Sequence, residues 1–301
     1  MRKLLSIALL GWLLPFTAAA QMIGLTFDDG LDPASHRQAA AWNARLLKAL
    51  DKQVLHTVVF PSLRHIGGER GMPLIEQWSA AGHGVGNHTA GHLNLSSPQV
   101  TLSRFIDGVE RADAALRALP TFMPMLRFPY LKEGSTLAKR DGMRQWMREH
   151  GYRAAPVSID TSDGYYNQRY LALQAAGRSE PVRRLKRAYV KHLLERATYY
   201  DALARQVIGR SPSHVMLLHT NALNAAALPD VIEAFRNKGW HFVSARSAFE
   251  DPLYAMRPDT LPAGESIIWA LARQRGVEDL REPPEDARYE RAILRKLGLA
   301  P

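Results

Sequence analysis

The alternation of two periodicities constrains this chain most. Seven short runs rich in apolar and β-branched residues fall at 22–27, 56–60, 84–87, 125–128, 155–159, 214–219 and 241–244. Between them lie longer stretches with helical spacing, at 38–50, 74–81, 99–119, 142–150 and 229–237. Strands that alternate with helices pair in parallel, because each crossover helix returns the chain to the same end of the sheet. Seven strands over about 220 residues suit a closed, barrel-like sheet better than a small open one. Pro229 suits the first turn of the last helix, where its missing N–H costs nothing. Two parts break the alternation: a mostly helical insert at about 165–210, and a tail at 251–301 with Pro-rich turns and a helix or two. No internal repeat is present.

Before the first strand stands MRKLLSIALLGWLLPFTAAAQ. Arg2 and Lys3 precede an uncharged apolar core at 4–16, and Ala18, Ala19 and Ala20 form a small-residue cleavage pattern. Residues 1–20 therefore read as a secretory signal peptide, with Gln21 opening the mature chain. An uncleaved anchor is the alternative, but the core is shorter than the roughly 20 residues that span a bilayer. The expected location is the periplasm, the cell envelope or the medium. The chain has no cysteine, which excludes disulfides, thiol catalysis and thiolate metal sites. Its net charge is +10, a balance that suits an anionic partner. The basic residues are densest in RRLKRAYVKHLLER (183–196), where apolar residues interleave at helical spacing, so this stretch reads as a solvated helix face. No nucleic-acid-binding motif accompanies the charge.

Polar residues collect where these strands end. Asp28 and Asp29 follow the first, His88 the third, Arg127 ends the fourth, Asp160 and Asp163 follow the fifth, and His219 ends the sixth. In parallel β/α barrels active sites are built at that rim. Taken alone, the Asp-Asp-Gly in GLTFDDG reads as a turn. His88 and His92, four apart, would share one face of a helical turn. Two imidazoles and one carboxylate, with positions left open, suit Zn²⁺ or another divalent transition ion. His36 and His83 are off this register and read as surface or packing histidines. The absence of an HExxH pattern disfavours a metallopeptidase.

Five segments in order, TFDDG (26–30), HTAGH (88–92), RFPY (127–130), DTSD (160–163) and LLHT (217–220), give the chain a resemblance to the NodB-homology polysaccharide deacetylases, carbohydrate esterase family 4. The likeness spans about residues 22–245. It implies an α/β fold, a distorted (β/α)7 barrel of TIM-like type, for a domain over 21–250; residues 251–301, beyond the likeness, are expected as a C-terminal extension packing on the barrel. It implies one divalent metal ion, Zn²⁺ first and Co²⁺ or a similar ion next, held by Asp29, His88 and His92. Asp28 would be the general base, paired with Arg127, and the turn at Gly30 would let both aspartates face the pocket. The Tyr130 N–H would steady an oxyanion, His219 would be the general acid held by Asp163, and Leu217 would line the acetyl pocket. Gly164 stands where the family commonly has tryptophan, so Tyr165 is the expected substitute wall, and Leu131 replaces a common glycine.

The implied activity is hydrolysis of a non-peptide carbon–nitrogen bond, removing N-acetyl groups from an amino-sugar polysaccharide such as peptidoglycan. O-acetyl esterase activity, or a weakly catalytic carbohydrate-binding relative, is the alternative. The insert is expected to cap the catalytic rim, its basic residues meeting the polymer; packing on the barrel's side is the other reading.

Overall fold

The computed structural model describes residues 21–281 and 287–301, so the leader read at residues 1–20 lies outside the described residues. The strands are β1 (Gln21–Asp29), β2 (Val58–Pro61), β3 (Gly84–Asn87), β4 (Phe122–Leu126), β5 (Lys132–Gly134), β6 (Arg153–Ala154), β7 (Ser213–His219), β8 (Trp240–Phe242) and β9 (Ala263–Gly264). The α-helices are α1 (Ala39–Lys52), α2 (Leu63–Ile66), α3 (Met72–Ala80), α4 (Leu102–Leu116), α5 (Leu137–Glu149), α6 (Asp163–Ala175), α7 (Ser179–Ile208), α8 (Ala222–Asn237), α9 (Ala245–Ala248), α10 (Ile267–Gln274) and α11 (Arg288–Lys296). The central sheet runs β6-β4-β3-β2-β1-β7, with β8 also on β1, and every pairing in it is parallel. Helices surround it, as the (β/α)7 expectation requires.

Regular pairing does not close the ring. Regular strand ends at Ala154, just before the strand expected at 155–159, because Pro156 has no N–H to give to a ladder. The following residues nevertheless bridge the gap. Ala155 N–H bonds Leu126 of β4, while Ser158 and Ile159 both donate to Val215 of β7, and Leu217 N–H returns to Ile159. The distortion of the barrel is concentrated there. Pro229 also departs from expectation: α8 begins at Ala222, capped by the Asn221 side chain, and Pro229 lies inside it. The expected helix at 142–150 starts earlier, at Leu137, after a Thr136 cap.

β1 is buried on both faces. Phe27 meets the Trp78 ring of α3 at 5.4 Å. On the other face a Cβ at Gly24 would lie 2.9 Å from both Ala245 and Ala248, so only glycine lets α9 pack directly on the strand. The register places Asp28 opposite Phe60 of β2 and His219 of β7, which sets the strand ends at one rim.

The insert is α6 and α7. A buried stripe of Leu185, Tyr189, Leu193, Ala197, Tyr200 and Ala204 fixes α7 against α6, α8 and α10. Its basic half faces elsewhere than the rim cavities: Arg183 pairs with Glu180 at 2.7 Å, Lys186 pairs with Asp230 at 3.0 Å, and Arg184 donates to the Leu297 carbonyl at 2.6 Å. The basic α7 half of the insert packs on the barrel's side, so the expected basic cap is corrected for α7, while α6 lines a cavity at the rim through Gly164, Asn167 and Leu171. In the tail, β9 pairs antiparallel with β5, α10 packs on α7 and α11 on α6. Among the described residues no helix is long and apolar enough to cross a membrane.

One polar cluster ties α7 to the sheet. Asp201, 4% exposed, accepts from Gln21 Nε2 at 2.6 Å, Ser211 Oγ at 2.5 Å and Arg205 Nε at 3.0 Å, and faces His214 Nε2 at 3.2 Å. Burial pushes its pKa up, but the hydrogen bonds from His214, Ser211, Gln21 and Arg205 outweigh that and hold it below the ordinary carboxylate range. A depressed folded-state pKa stabilises the fold above the unfolded value and loses that contribution as pH falls. Asp201→Asn is therefore expected to lower stability by about 1–2 kcal/mol at pH 7, from lost charge-assisted bonds. The gap between thermal melts of the two proteins should hold from pH 7 down to about pH 4, the unfolded carboxylate value, and narrow progressively below it; a gap that stays constant in more acid solution would contradict the linkage.

Candidate active site

The aspartate pair sits where β1 ends. Successive strand residues point to opposite faces, yet both carboxylates line one rim cavity of about 340 Å³. The reversal begins at Asp29 itself, at φ 80°, and continues through Gly30, at φ 85°. At Gly30 a Cβ would come within 2.2 Å of Ile66, so the second position of this turn requires glycine.

His88 and His92 do not lie on a helix. They flank a tight loop in which Thr89 and His92 take positive φ values of 67° and 49°. Asn87 Oδ1 accepts the Thr89 N–H at 2.8 Å, and Thr89 Oγ1 accepts the His92 N–H at 3.0 Å. Local side-chain bonds of this kind compete with helix formation. The loop still sets the two rings 4.9 Å apart.

Ligand-type atoms of Asp29, His88 and His92 all lie within 4.8 Å of one another. His88 Nδ1 donates to the Arg127 carbonyl at 2.7 Å, which leaves Nε2 as the lone-pair nitrogen. The Nε2 atoms of His88 and His92 face Asp29 Oδ1 at 3.7 and 3.4 Å. Burial pushes the His88 pKa down to about 4 and that of His92 to about 3, so both are neutral ligands at neutral pH. Asp29 Oδ1 is buried with no hydrogen-bond partner, and buried carboxylate oxygens are rarely left so. An orphaned oxygen facing two neutral imidazole nitrogens fits a divalent transition ion.

On one side of this trio, Arg127 Nη1 donates to both oxygens of Asp28, at 3.0 and 3.2 Å. Arg127 is 0% exposed. Its Nη2 bonds Thr26 Oγ1 at 3.2 Å, its Nε bonds the Ala155 carbonyl at 2.5 Å, and the guanidinium lies 4.5 Å from the Phe60 ring centroid. Burial raises the Asp28 pKa to about 6, with Arg127 and then His219 pulling it down.

On the other side, His219 Nδ1 meets Asp163 Oδ1 at 2.5 Å, and the His219 backbone N–H donates to Asp163 Oδ2 at 3.0 Å. Asn221 and Asn224 also donate to Asp163 Oδ2. Burial works against charging His219, but Asp163 outweighs it and the pKa rises to about 10, which leaves a protonated imidazolium at neutral pH. Its Nε2 lies 4.0 Å from Asp29 Oδ2.

The structure thus brings together Asp28, Asp29, His88, His92, Arg127, Asp163 and His219. Tyr130 and Leu217 line the same cavity, with Asp160 and Leu131. Tyr130 sits at φ 57° after Pro129, its ring 4.7 Å from His92. Tyr165 is a correction. It does not line this cavity; its ring packs beside the core and faces the Arg291 guanidinium at 5.8 Å. Helix α6 starts at Asp163, and its pitch turns residue 165 away from the rim. His83 is a packing residue between Trp78 and His56, as expected.

Sequence reasoning missed His65, whose Nδ1 lies 3.1 Å from Asp29 Oδ2 and whose ring lies tilted against that of His92, centroids 4.5 Å apart. Its position a few residues past the end of β2 was the available signal, since that is the same rim. It also missed Glu265, carried to the cavity by β9 and joined to Lys132.

The loop before Asp163 is held from α7. His192 Nε2 donates to the Thr161 carbonyl at 2.6 Å and Arg196 Nε to the Asp160 carbonyl at 3.0 Å. His192→Phe should lower kcat about tenfold through loss of one buried hydrogen bond, while His192→Gln, which can still donate, should recover most of it. Steady-state kinetics alongside metal content checks this. A His192→Phe protein with normal kcat would show that the loop stands unaided.

Compared with known families, the chain matches the family model described as polysaccharide deacetylase over residues 17–155. Several solved structures share the fold. A mutant of a CE4 family pseudoenzyme with restored enzymatic activity is 16% identical, with 77% of this chain and 68% of that one covered at a TM-score of 0.54. The peptidoglycan deacetylase PdaC from Bacillus subtilis is 18% identical, with 77% and 91% covered at 0.53. A family 4 carbohydrate esterase from Streptomyces lividans, in complex with acetate, is 20% identical, with 76% and 97% covered at 0.51. No curated protein matches the sequence.

Proposed function

We propose that this chain, which matches the polysaccharide deacetylase family model over residues 17–155, is an exported, metal-dependent hydrolase that removes N-acetyl groups from an amino-sugar polymer such as peptidoglycan. The observation that carries the reading is the orphaned Asp29 Oδ1 facing two neutral imidazole nitrogens, with a buried carboxylate on one side and an imidazolium on the other. Asp29, His88 and His92 would hold Zn²⁺, Co²⁺ or a similar ion, which when bound acidifies water and polarises the amide carbonyl. Asp28, fixed by Arg127, accepts a proton from the attacking water. His219, oriented by Asp163, gives a proton to the departing sugar nitrogen as the carbon–nitrogen bond breaks, so acetate and the free amine are the products. The Tyr130 N–H, the first backbone donor after Pro129, would meet the developing oxyanion. Leu217 offers the acetyl methyl an apolar wall. Export rests on the leader pattern.

Incubation of the purified protein with acetylated chito-oligosaccharides should release acetate, stop with a chelator and resume with added Zn²⁺ or Co²⁺. No acetate from any N-acetylated sugar at any metal loading would overturn the reading. Release from O-acetylated sugars alone would favour the esterase.

A further inference from the structure

The stretch 183–196, where basic residues are densest, borders a cavity of about 530 Å³ that the reaction described above does not use. The cavity lies between α7 and α11, and its lining shares no residue with the rim cavities. Helix α6 stands between them: Gly164, Asn167 and Leu171 line the rim, whereas Tyr166 lines this cavity. Arg184, Ala188, Lys191 and Glu195 follow one another at spacings of three and four along α7, so they share one face. Ile293 and Leu297, four apart at the end of α11, supply an apolar wall together with Leu299. These two are 36% and 39% exposed, so the wall is left open to an occupant. The volume is that of pockets that hold small molecules.

Charge and apolar surface together single out the occupant. Arg184, Arg187, Lys191 and Lys296 line the cavity against one carboxylate, Glu195. Glu195 is engaged by Lys191 at 3.5 Å, and Arg187 by Glu180 at 3.6 Å. Arg184 gives a hydrogen bond to the Leu297 carbonyl but, like Lys296, has no carboxylate partner among the described residues. Two uncompensated cations therefore stand at the edge of an aliphatic wall. We infer that this cavity binds a single-chain amphiphilic anion, its hydrocarbon chain against Ile293, Leu297 and Leu299 and its carboxylate or phosphate at Arg184 and Lys296. A guanidinium offers such a head group two parallel donors. A hydrophilic polyanion would leave the apolar wall in water, and a bilayer presents a plane, whereas these residues line a concave space that admits one chain.

Calorimetric titration with monomeric decanoate and dodecanoate tests this, with decan-1-ol and decylammonium as neutral and cationic counterparts of the same length. Affinity should rise about fourfold per added methylene, and decanoate should bind about tenfold more tightly than the alcohol. Lys296→Gln, which breaks no ion pair, should weaken decanoate about tenfold and flatten its salt dependence. Leu297→Asp should abolish measurable binding, with melting temperatures of the free proteins confirming that both variants fold. A bound metal ion also captures carboxylates, so binding should persist in the His88→Ala/His92→Ala protein. Equal binding of acid and alcohol, affinity unchanged in both Lys296→Gln and Leu297→Asp, or loss of binding in the histidine variant overturns the inference. Sedimentation with phosphatidylglycerol vesicles while no monomer binds overturns it in favour of a membrane-facing surface. None of these readouts involves acetate release, so the inference stands or falls apart from the deacetylase reading.

Discussion

Replacing His88 and His92 with alanine should leave the purified protein without bound transition metal and reduce acetate release to the level seen with a chelator. The expected loss is about 10³-fold or more, since a Lewis-acidic ion contributes several kcal/mol to such a reaction and each 1.36 kcal/mol is tenfold. The geometry behind this is specific. Asp29 Oδ1 has no hydrogen-bond partner, and the atoms nearest to it in a ligand role are the Nε2 atoms of these two histidines. His65 engages the other oxygen of Asp29, so it should not rescue the site. Elemental analysis of wild type and double mutant decides the matter. Equal metal content in the two would mean that this trio is not the metal site.

Asp28→Asn should keep the metal and lose 10²–10⁴-fold in kcat, the usual contribution of a general base. The two neighbouring aspartates differ in surroundings as much as in role. Burial carries the Asp28 carboxyl up to about 6, with Arg127 opposing, whereas the histidines around Asp29 outweigh burial and hold it well below the ordinary range. Asparagine preserves the shape of Asp28 and an acceptor for Arg127 Nη1, but it cannot take a proton from water. Asp29→Asn should instead lose both metal and activity. Paired measurements of metal content and kcat on the two single mutants test the division, and near-normal rates with metal retained in both would reduce the pair to a turn.

Some of this was legible in the residues. Parallel β/α organisation follows from the alternation of periods, because a 2-residue and a 3.6-residue repeat cannot be satisfied by the same backbone. That Asp28, Asp29, His88, Arg127, Asp163 and His219 meet follows once each is placed just past a strand in a parallel sheet, where every strand ends at the same rim. Other features were decided only when the chain closed. The His88–His92 segment has helical spacing but forms a loop, since Asn87 and Thr89 offer its N–H groups nearer partners. Tyr165 follows the site in sequence yet turns away from it with the first turn of α6. Pro229 looked like a helix start but lies inside α8, where Asn221 supplies an earlier cap. His65, Glu265 and the α7 donors reach the rim through contacts between elements far apart in the chain: Arg196 bonds the Asp160 carbonyl across 36 positions and Arg127 bonds Asp28 across 99. The sequence by itself determined which backbone periods and which chemical groups are available at each strand end. The tertiary structure alone decided which of those groups touch, because burial, hydrogen-bond competition and pKa depend on neighbours that local sequence does not specify.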